Sequence, residues 1–381
     1  MRHLAITAQQ MHPSGIREIM DLAAQFPDSI HLEVGEPTFA PAPPILDAAK
    51  AAIDEGVARY TPNSGLLSLR EKIAERLGTR GWKVSPSQIV VTPGAVCALF
   101  SAIRALVDPG DEVLVPDPGW PNYTSMAQLS GGQPVGYPLS SECGYLPCID
   151  DLAAKVTDRT KLLIINSPSN PTGAVFPPDL IMSIVEFARQ NDLYVISDEV
   201  YEAFVFEGEH QMAGALDPDG RVVTISGFSK TYAMTGWRVG YAVAPERIAK
   251  LISKLQEPVV CCASAISQRA AEAALSVSDD HIAEMRNAYR QRRDLIASRL
   301  RPAGLLASTP HGAFYALVDL RSVGQDSYSI ARDLLTKKRV ATAPGETFGK
   351  SGAGLVRISL VGAPEQIDTA CHRLVDYVNG G

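Results

Sequence analysis

Short apolar runs recur through the first two thirds of the chain, and they limit its fold more than any other feature: QIVVT, EVLVP, KLLIIN, LYVIS, VVTIS and VGYAVA. Each is too short for a buried helix and apolar along its whole length, as a strand covered on both faces must be. Between the earlier runs lie helical patterns that start at about Ala95, Trp120 and Pro178. Strands alternating with crossover helices predict an α/β architecture, with a mostly parallel sheet sandwiched by helices. In such sheets ligands collect at the carboxyl ends of the strands.

The chemistry-bearing residues fall at those ends. TPGA follows QIVVT, PDPGW follows EVLVP, NSPSNPTG follows KLLIIN, SDEVY follows LYVIS and GFSK follows VVTIS. One shared pocket accounts for all five. The stretch PTFAPAPP, Pro37 to Pro44, reads as a crossing between domains, neither helix nor central strand. After about Asp280 the pattern changes to a long charged helix, HIAEMRNAYRQRRDLIASRL, then to shorter elements through GLVRISL. The expected division is an N-terminal segment, 1–42, joining a smaller α+β domain, 285–381, beside a large domain, 43–284.

A formal charge of -7 and the lack of any long Lys/Arg run argue against nucleic acid or an anionic membrane as partner and point to a small ligand. Apolar stretches such as CALFSAIRALV are broken by charge well short of a bilayer span, so a cytoplasmic protein is expected. The 6 cysteines contain no CxxC pair, and adjacent Cys261 and Cys262 suit a disulfide poorly; reduced, mostly buried thiols are expected. The 7 histidines show no HxxxH or HExxH spacing, so no catalytic metal is expected.

Lys230 lies among small residues in SGFSKTYAMTGWRVGY, where poor hydration lowers an amine's pKa and makes it a nucleophile. Such an amine condenses with aldehydes, and the aldehyde cofactor that uses this most widely is pyridoxal phosphate. That cofactor asks for a carboxylate on its ring nitrogen, donors for its ring oxygen and phosphate, and a flat partner for its ring. Asp198 can supply the first, and Tyr201 and Asn170 can reach the ring oxygen. The N-H groups of Ala95 and Val96, after Gly94 at a helix start, suit the phosphate. Trp120 offers a flat face. The same residue types also serve as caps, turns and core, and each position taken alone is compatible with that plainer role. A cis Asn170-Pro171 bond would fit the turn in NSPSNPTG.

Together these residues carry a resemblance. GFSKTYAMTGWRVG, Gly227 to Gly240, resembles throughout the lysine signature of the class I and II pyridoxal-phosphate-dependent aminotransferases. LEVGEPTF, YTPNSGLLSLR, NSPSNPTG, SDEVY, PGETFG and VRISL fall in that family's order, so the likeness runs from about Ile30 onward. It looks most like the bacterial aspartate or aromatic aminotransferase branch. It implies the family's fold, pyridoxal-phosphate fold type I, and a transferase of nitrogenous groups, moving an amino group between an L-amino acid and a 2-oxo acid by a ping-pong route. It also implies Lys230 as the lysine that binds the cofactor aldehyde and shuttles a proton, and Ser229 and Arg238 beside the Ala95 and Val96 amides on the phosphate. Arg357 would grip the substrate carboxylate, with the Gly35 backbone and Asn170 assisting. Tyr60 would reach the phosphate of a neighbouring subunit, which makes the expected assembly a homodimer.

Two rivals share parts of this pattern. A beta-lyase or decarboxylase would use the same cofactor site. A ligand-sensing regulator with an aminotransferase-like domain would need a DNA-binding domain first, and a likeness starting near residue 30 leaves no room for one. One departure bears on substrate choice: aspartate-acting members of the branch often carry a lysine at the position of Val96, where it pairs with the side-chain carboxylate. Valine there leads us to expect neutral or aromatic donors to be favoured over aspartate, unless a cation comes from another loop or from the partner subunit.

Overall fold

In the computed structural model, which describes residues 4–11 and 14–380, the apolar runs build one seven-stranded sheet. The strands, numbered along the chain, are β1 (Ile30–His31), β2 (Ile89–Thr92), β3 (Glu112–Asp117), β4 (Gln133–Pro138), β5 (Thr160–Asn166), β6 (Tyr194–Asp198), β7 (Val222–Gly227), β8 (Gly240–Val243), β9 (Tyr315–Asp319), β10 (Val340–Ala341), β11 (Ala343–Pro344) and β12 (Leu355–Ser359). The large sheet has the order β2-β8-β7-β6-β5-β3-β4, and only β8 runs antiparallel to its neighbours. β2, β3, β5, β6 and β7 therefore point the same way and deliver their carboxyl ends to one edge.

Both faces are covered, which is why the runs are apolar throughout. On one face Val113, Leu162, Ile164, Ile196 and Val223 pack with Leu99 and Ile103 of the helix Ala95–Leu106 and with Ile248 and Ile252 of the helix Glu246–Val260. On the other, Leu114, Leu163, Ile165 and Val195 meet Ile181, Ile184 and Val185 of the helix Pro178–Gln190. Burying each such side chain contributes about 1.5–3 kcal/mol. β4 escapes the apolar-run signal because it is an edge strand: it pairs only with β3, so Pro134 and Pro138 cost no inner ladder bond.

The chain's two ends meet. β1 pairs in parallel with β10, while β11, β12 and β9 form an antiparallel sheet. Ile19, Ala23 and Leu32 share one core with Met285, Tyr289, Leu334, Val356 and Leu374. The expected boundary at 284–285 falls inside the continuous helix Asp279–Leu300.

Three expectations need correction. Pro43 and Pro44 are helical, opening Pro43–Asp54; a helix's first turn has no use for their missing N-H groups. The helix expected from Trp120 begins at Asn122, after Pro121. All six cysteines are free, but only Cys371 is buried; Cys143 and Cys148 are exposed in a surface segment. Among the described residues no helix is long and apolar enough to cross a membrane.

Candidate active site

The parallel carboxyl ends open into a cavity of about 520 Å³. Gly35, Ala95, Val96, Trp120, Asn170, Asp198, Tyr201, Ser229, Lys230, Arg238 and Arg357 all line it. Tyr60 does not: in the single chain it is 86% exposed.

Asp198 ends β6 on the cavity floor and is buried. Its Oδ2 accepts the Tyr123 hydroxyl at 2.7 Å and its Oδ1 accepts the Val200 N-H at 3.3 Å. Burial nevertheless wins over these bonds and pushes the carboxyl up to about 6. No lysine or arginine stands within ion-pair distance of it among the described residues, so the carboxylate is matched to a cationic donor arriving from the cavity.

Lys230 follows β7, and its Nζ donates to the Gly35 carbonyl at 2.8 Å. Burial lowers the amine from 10.5 to about 8. Gly35 admits no side chain, because a Cβ would overlap the Tyr315 hydroxyl. At the other end of the cavity Gly94, at φ 80°, starts the helix Ala95–Leu106 and leaves the N-terminal amides facing inward. A Cβ on Gly94 would strike the Arg238 guanidinium, so amides and guanidinium share one cradle. Arg238 itself holds a left-handed backbone, φ 52°, and donates to the Thr235 carbonyl at 2.9 Å. The donor set there, amides plus a guanidinium and Ser229, suits a phosphate.

Arg357 is the buried cation of the site. Its guanidinium donates to Asn170 Oδ1 at 3.0 Å and to the Glu33 carbonyl, while its Nε has no partner. It lies between the rings of Tyr315 and Phe348, at 4.3 and 4.8 Å from their centroids. Burial lowers its pKa, and it has no ion-pair partner among the described residues. The Asn170 turn is fastened from below: Asn166 Oδ1 accepts the Asn170 N-H at 2.8 Å and Asn166 Nδ2 donates to the Asp198 carbonyl at 2.9 Å. Asn170-Pro171 is cis, as are Asp117-Pro118 and Ser167-Pro168.

Sequence reasoning missed the partners that hold these groups. Tyr123 bonds Asp198 and packs edge-on against Trp120, with ring centroids 5.4 Å apart. Its signal was available in PDPGWPNY, three residues after Trp120. Tyr315 shares a 3.0 Å hydroxyl contact with Tyr201 and lies under Arg357, yet in GAFYALV it looks like one more core aromatic. Glu199, next to Asp198, turns to the opposite side and bonds Ser197, His210 and the Ala213 N-H. With Glu202 and His210 it brings ligand-type atoms within 4.8 Å of one another. His210 bonds Glu199, and Arg80 pairs with Glu202.

A lysine held near neutrality between a buried carboxylate and a buried guanidinium, on a mostly parallel α/β scaffold, defines an enzyme of amino-group chemistry. From residue 27 to residue 374 the chain matches the family model for aminotransferase class I and II, and it belongs to that family. It is 40% identical over 370 residues to the aspartate aminotransferase of Pyrococcus abyssi, covering 96% of this chain and 95% of that one. To the aromatic-amino-acid aminotransferase 2 of Thermococcus litoralis it is 37% identical over 372 residues, 96% of each chain. The structure of Thermus thermophilus aspartate aminotransferase with maleate superposes with a TM-score of 0.94 at 36% identity, covering 99% of this chain and 100% of that one. The protein is an aminotransferase with the fold of those enzymes.

Proposed function

We propose that the cavity holds pyridoxal phosphate and moves an amino group from a neutral or aromatic L-amino acid to a 2-oxo acid in two half-reactions. The observation that carries this is the pair of uncompensated buried charges, Asp198 and Arg357, with Lys230 between them in one cavity. Asp198 would meet the ring nitrogen, Tyr201 and Asn170 the ring oxygen, Trp120 the ring face, and the Ala95 and Val96 amides with Ser229 and Arg238 the phosphate. When bound, the cofactor supplies an aldehyde that takes up the amino group and a protonated ring that draws electrons away from the reacting carbon. Lys230 Nζ would take the substrate's α-proton and hold it for return. Arg357 holds the substrate carboxylate through its paired N-H groups, with the Gly35 backbone and Asn170 assisting.

Val96 supports the side-chain preference. It is 38% exposed on the cavity wall and cannot neutralise a second carboxylate. Half-reactions followed by cofactor absorbance, with aspartate, glutamate, alanine, leucine, phenylalanine and tyrosine, test the reading. We expect phenylalanine, tyrosine or leucine to give the highest kcat/KM. Aspartate leading by more than about tenfold, or 1.4 kcal/mol, would overturn the preference.

Arg357→Leu is expected to lower kcat/KM for all amino-acid substrates together by at least about a hundredfold, since one charge-assisted hydrogen bond contributes about 1.5–3 kcal/mol. Amines without a carboxylate should lose far less. Unchanged turnover of alanine would place the carboxylate site elsewhere.

A homodimer completes the proposal, with Tyr60 of the partner subunit at the phosphate. Tyr60 lies outside the cavity of its own chain and is exposed there, as a side chain that reaches into a neighbouring subunit would be. A single-chain mass in light scattering would remove the dimer.

A further inference from the structure

Tyr201 and Tyr315 are buried side by side in the cavity wall, and their hydroxyls lie 3.0 Å apart. Among the described residues neither hydroxyl makes any other hydrogen bond. Burial raises the pKa of both phenols, so both keep their protons near neutral pH. Two O-H groups that share a single contact leave one proton over. A buried donor without a partner is costly, so that proton has to be met from the cavity.

Which proton is left over follows from how Tyr315 is held. It opens β9, and Leu317, two residues on, stands opposite Arg357 in β12, so Tyr315 and Arg357 are diagonal neighbours on one face of the small sheet. The guanidinium therefore lies over the Tyr315 ring, 4.3 Å from its centroid. Among the described residues no cation lies over the Tyr201 ring. A cation on the ring face draws electron density from the phenol oxygen, which makes that O-H the stronger donor and the weaker acceptor. Gly35 closes another side, since a Cβ there would overlap the Tyr315 hydroxyl, and its carbonyl accepts Lys230 Nζ. Held in this way, Tyr315 gives its proton to Tyr201, and the proton of Tyr201 is the one left for the cavity.

We propose that Tyr315 is a positioning residue for the cofactor's ring oxygen: it donates to Tyr201 and so aims the Tyr201 hydroxyl at that oxygen. This rests on the reading of the cavity given above. A phenol alone at the position of Tyr201 can turn its O-H either way. A fixed donor behind it removes the choice. The guanidinium that would grip the substrate carboxylate thus also sets, through one side chain, the donor at the ring oxygen.

The test is equilibrium binding to the cofactor-free protein of pyridoxamine phosphate, which carries the ring oxygen, and of its 3-deoxy analogue, which lacks it. Calorimetry would compare wild type, Tyr315→Phe, Tyr201→Phe and the double variant. Phenylalanine keeps the ring that packs against Arg357, Tyr201 and Phe314, so the change removes a hydroxyl and no packing. Tyr315→Phe is expected to raise the Kd of pyridoxamine phosphate at least threefold, about 0.7 kcal/mol at 1.4 kcal/mol per tenfold, and that of the analogue less than twofold. In the Tyr201→Phe background the same change should alter neither Kd by as much as twofold, because the hydroxyl it acts through is gone. A smaller loss in Tyr315→Phe, a loss of twofold or more shared by the analogue, or a loss that persists without the Tyr201 hydroxyl overturns the assignment. The reading of the cavity fails separately: wild type would then bind neither ligand.

Discussion

Lys230→Ala is expected to end repeated amino transfer while the protein stays folded and still takes up cofactor through its phosphate and ring contacts. The side chain makes one hydrogen bond, to the Gly35 carbonyl, and its amine stands 5.7 Å from the centroid of the Phe314 ring without belonging to an apolar core, so its loss removes chemistry and leaves the scaffold. A positioned general base contributes about a hundredfold to ten-thousandfold, or roughly 3 to 5 kcal/mol at 1.36 kcal/mol per tenfold. On the proposed reading the amine would also capture the cofactor, so turnover should fall at least to the far end of that range. The wild-type lysine carries a pH signature as well. Its folded pKa of about 8 lies below 10.5, so the neutral, reactive form increases as pH rises through about 8. Capture of pyridoxal phosphate by cofactor-free protein should accelerate about tenfold per pH unit below that point and level off above it. Near-wild-type turnover by the alanine variant, without added amine, would remove Lys230 from the reaction.

Asp198→Asn is expected to do two opposite things. Turnover should fall at least about a thousandfold, because an amide cannot hold a proton on the ring nitrogen and the electron-drawing power of the ring goes with it. The cofactor-free protein, by contrast, should become more stable at pH 7. Burial raises the wild-type carboxyl from 3.8 to about 6, so the folded state binds its proton more tightly than the unfolded chain does. The resulting stability is complete below pH 3.8 and is lost as pH rises through about 6. At pH 7 the ionised, buried carboxylate therefore costs up to about 3 kcal/mol, at 1.36 kcal/mol per pH unit. Asparagine has no such charge, and its amide oxygen can still accept the Tyr123 hydroxyl. Denaturant melts of the two cofactor-free proteins should differ at pH 7 and converge as pH falls toward 4. A variant no more stable than wild type at pH 7, or less than tenfold slower in single turnover, would mean that another group holds the ring.

What could be read in advance follows from how local each signal is. Strands β2, β3 and β5 to β8 announce themselves because burial on both faces demands apolar runs, and residues at or just beyond the ends of the parallel ones line the cavity as a direct result. β4 does not, since an edge strand tolerates proline. The helix through Pro43 and Pro44 is hidden because proline breaks helices everywhere except the first turn, and a boundary is what proline usually marks. Lys230, Asp198 and Arg357 sit in distinctive local motifs. Their supports do not: Tyr123 and Tyr315 look like ordinary core residues until Asp198 and Tyr201, 75 and 114 positions away, are set against them. Tyr60 needs a second chain altogether.

The guanidinium of Arg357 donates to the carbonyl of Glu33 across 324 positions, and Lys230 Nζ reaches the Gly35 carbonyl across 195. β1, near the beginning, finds its partner only in β10. During synthesis the seven-stranded sheet can assemble as soon as β8 has emerged, whereas the wall holding Arg357 waits for β12, more than a hundred positions later. Contacts of such sequence separation carry the largest loop-closure cost and form late. A ribosome-bound chain halted after β8 would thus carry the floor of the site, with Asp198 and Lys230 in place, and would lack its substrate grip. On the proposed reading, cofactor uptake and substrate recognition would be separable events in the birth of this enzyme, the second waiting for β12.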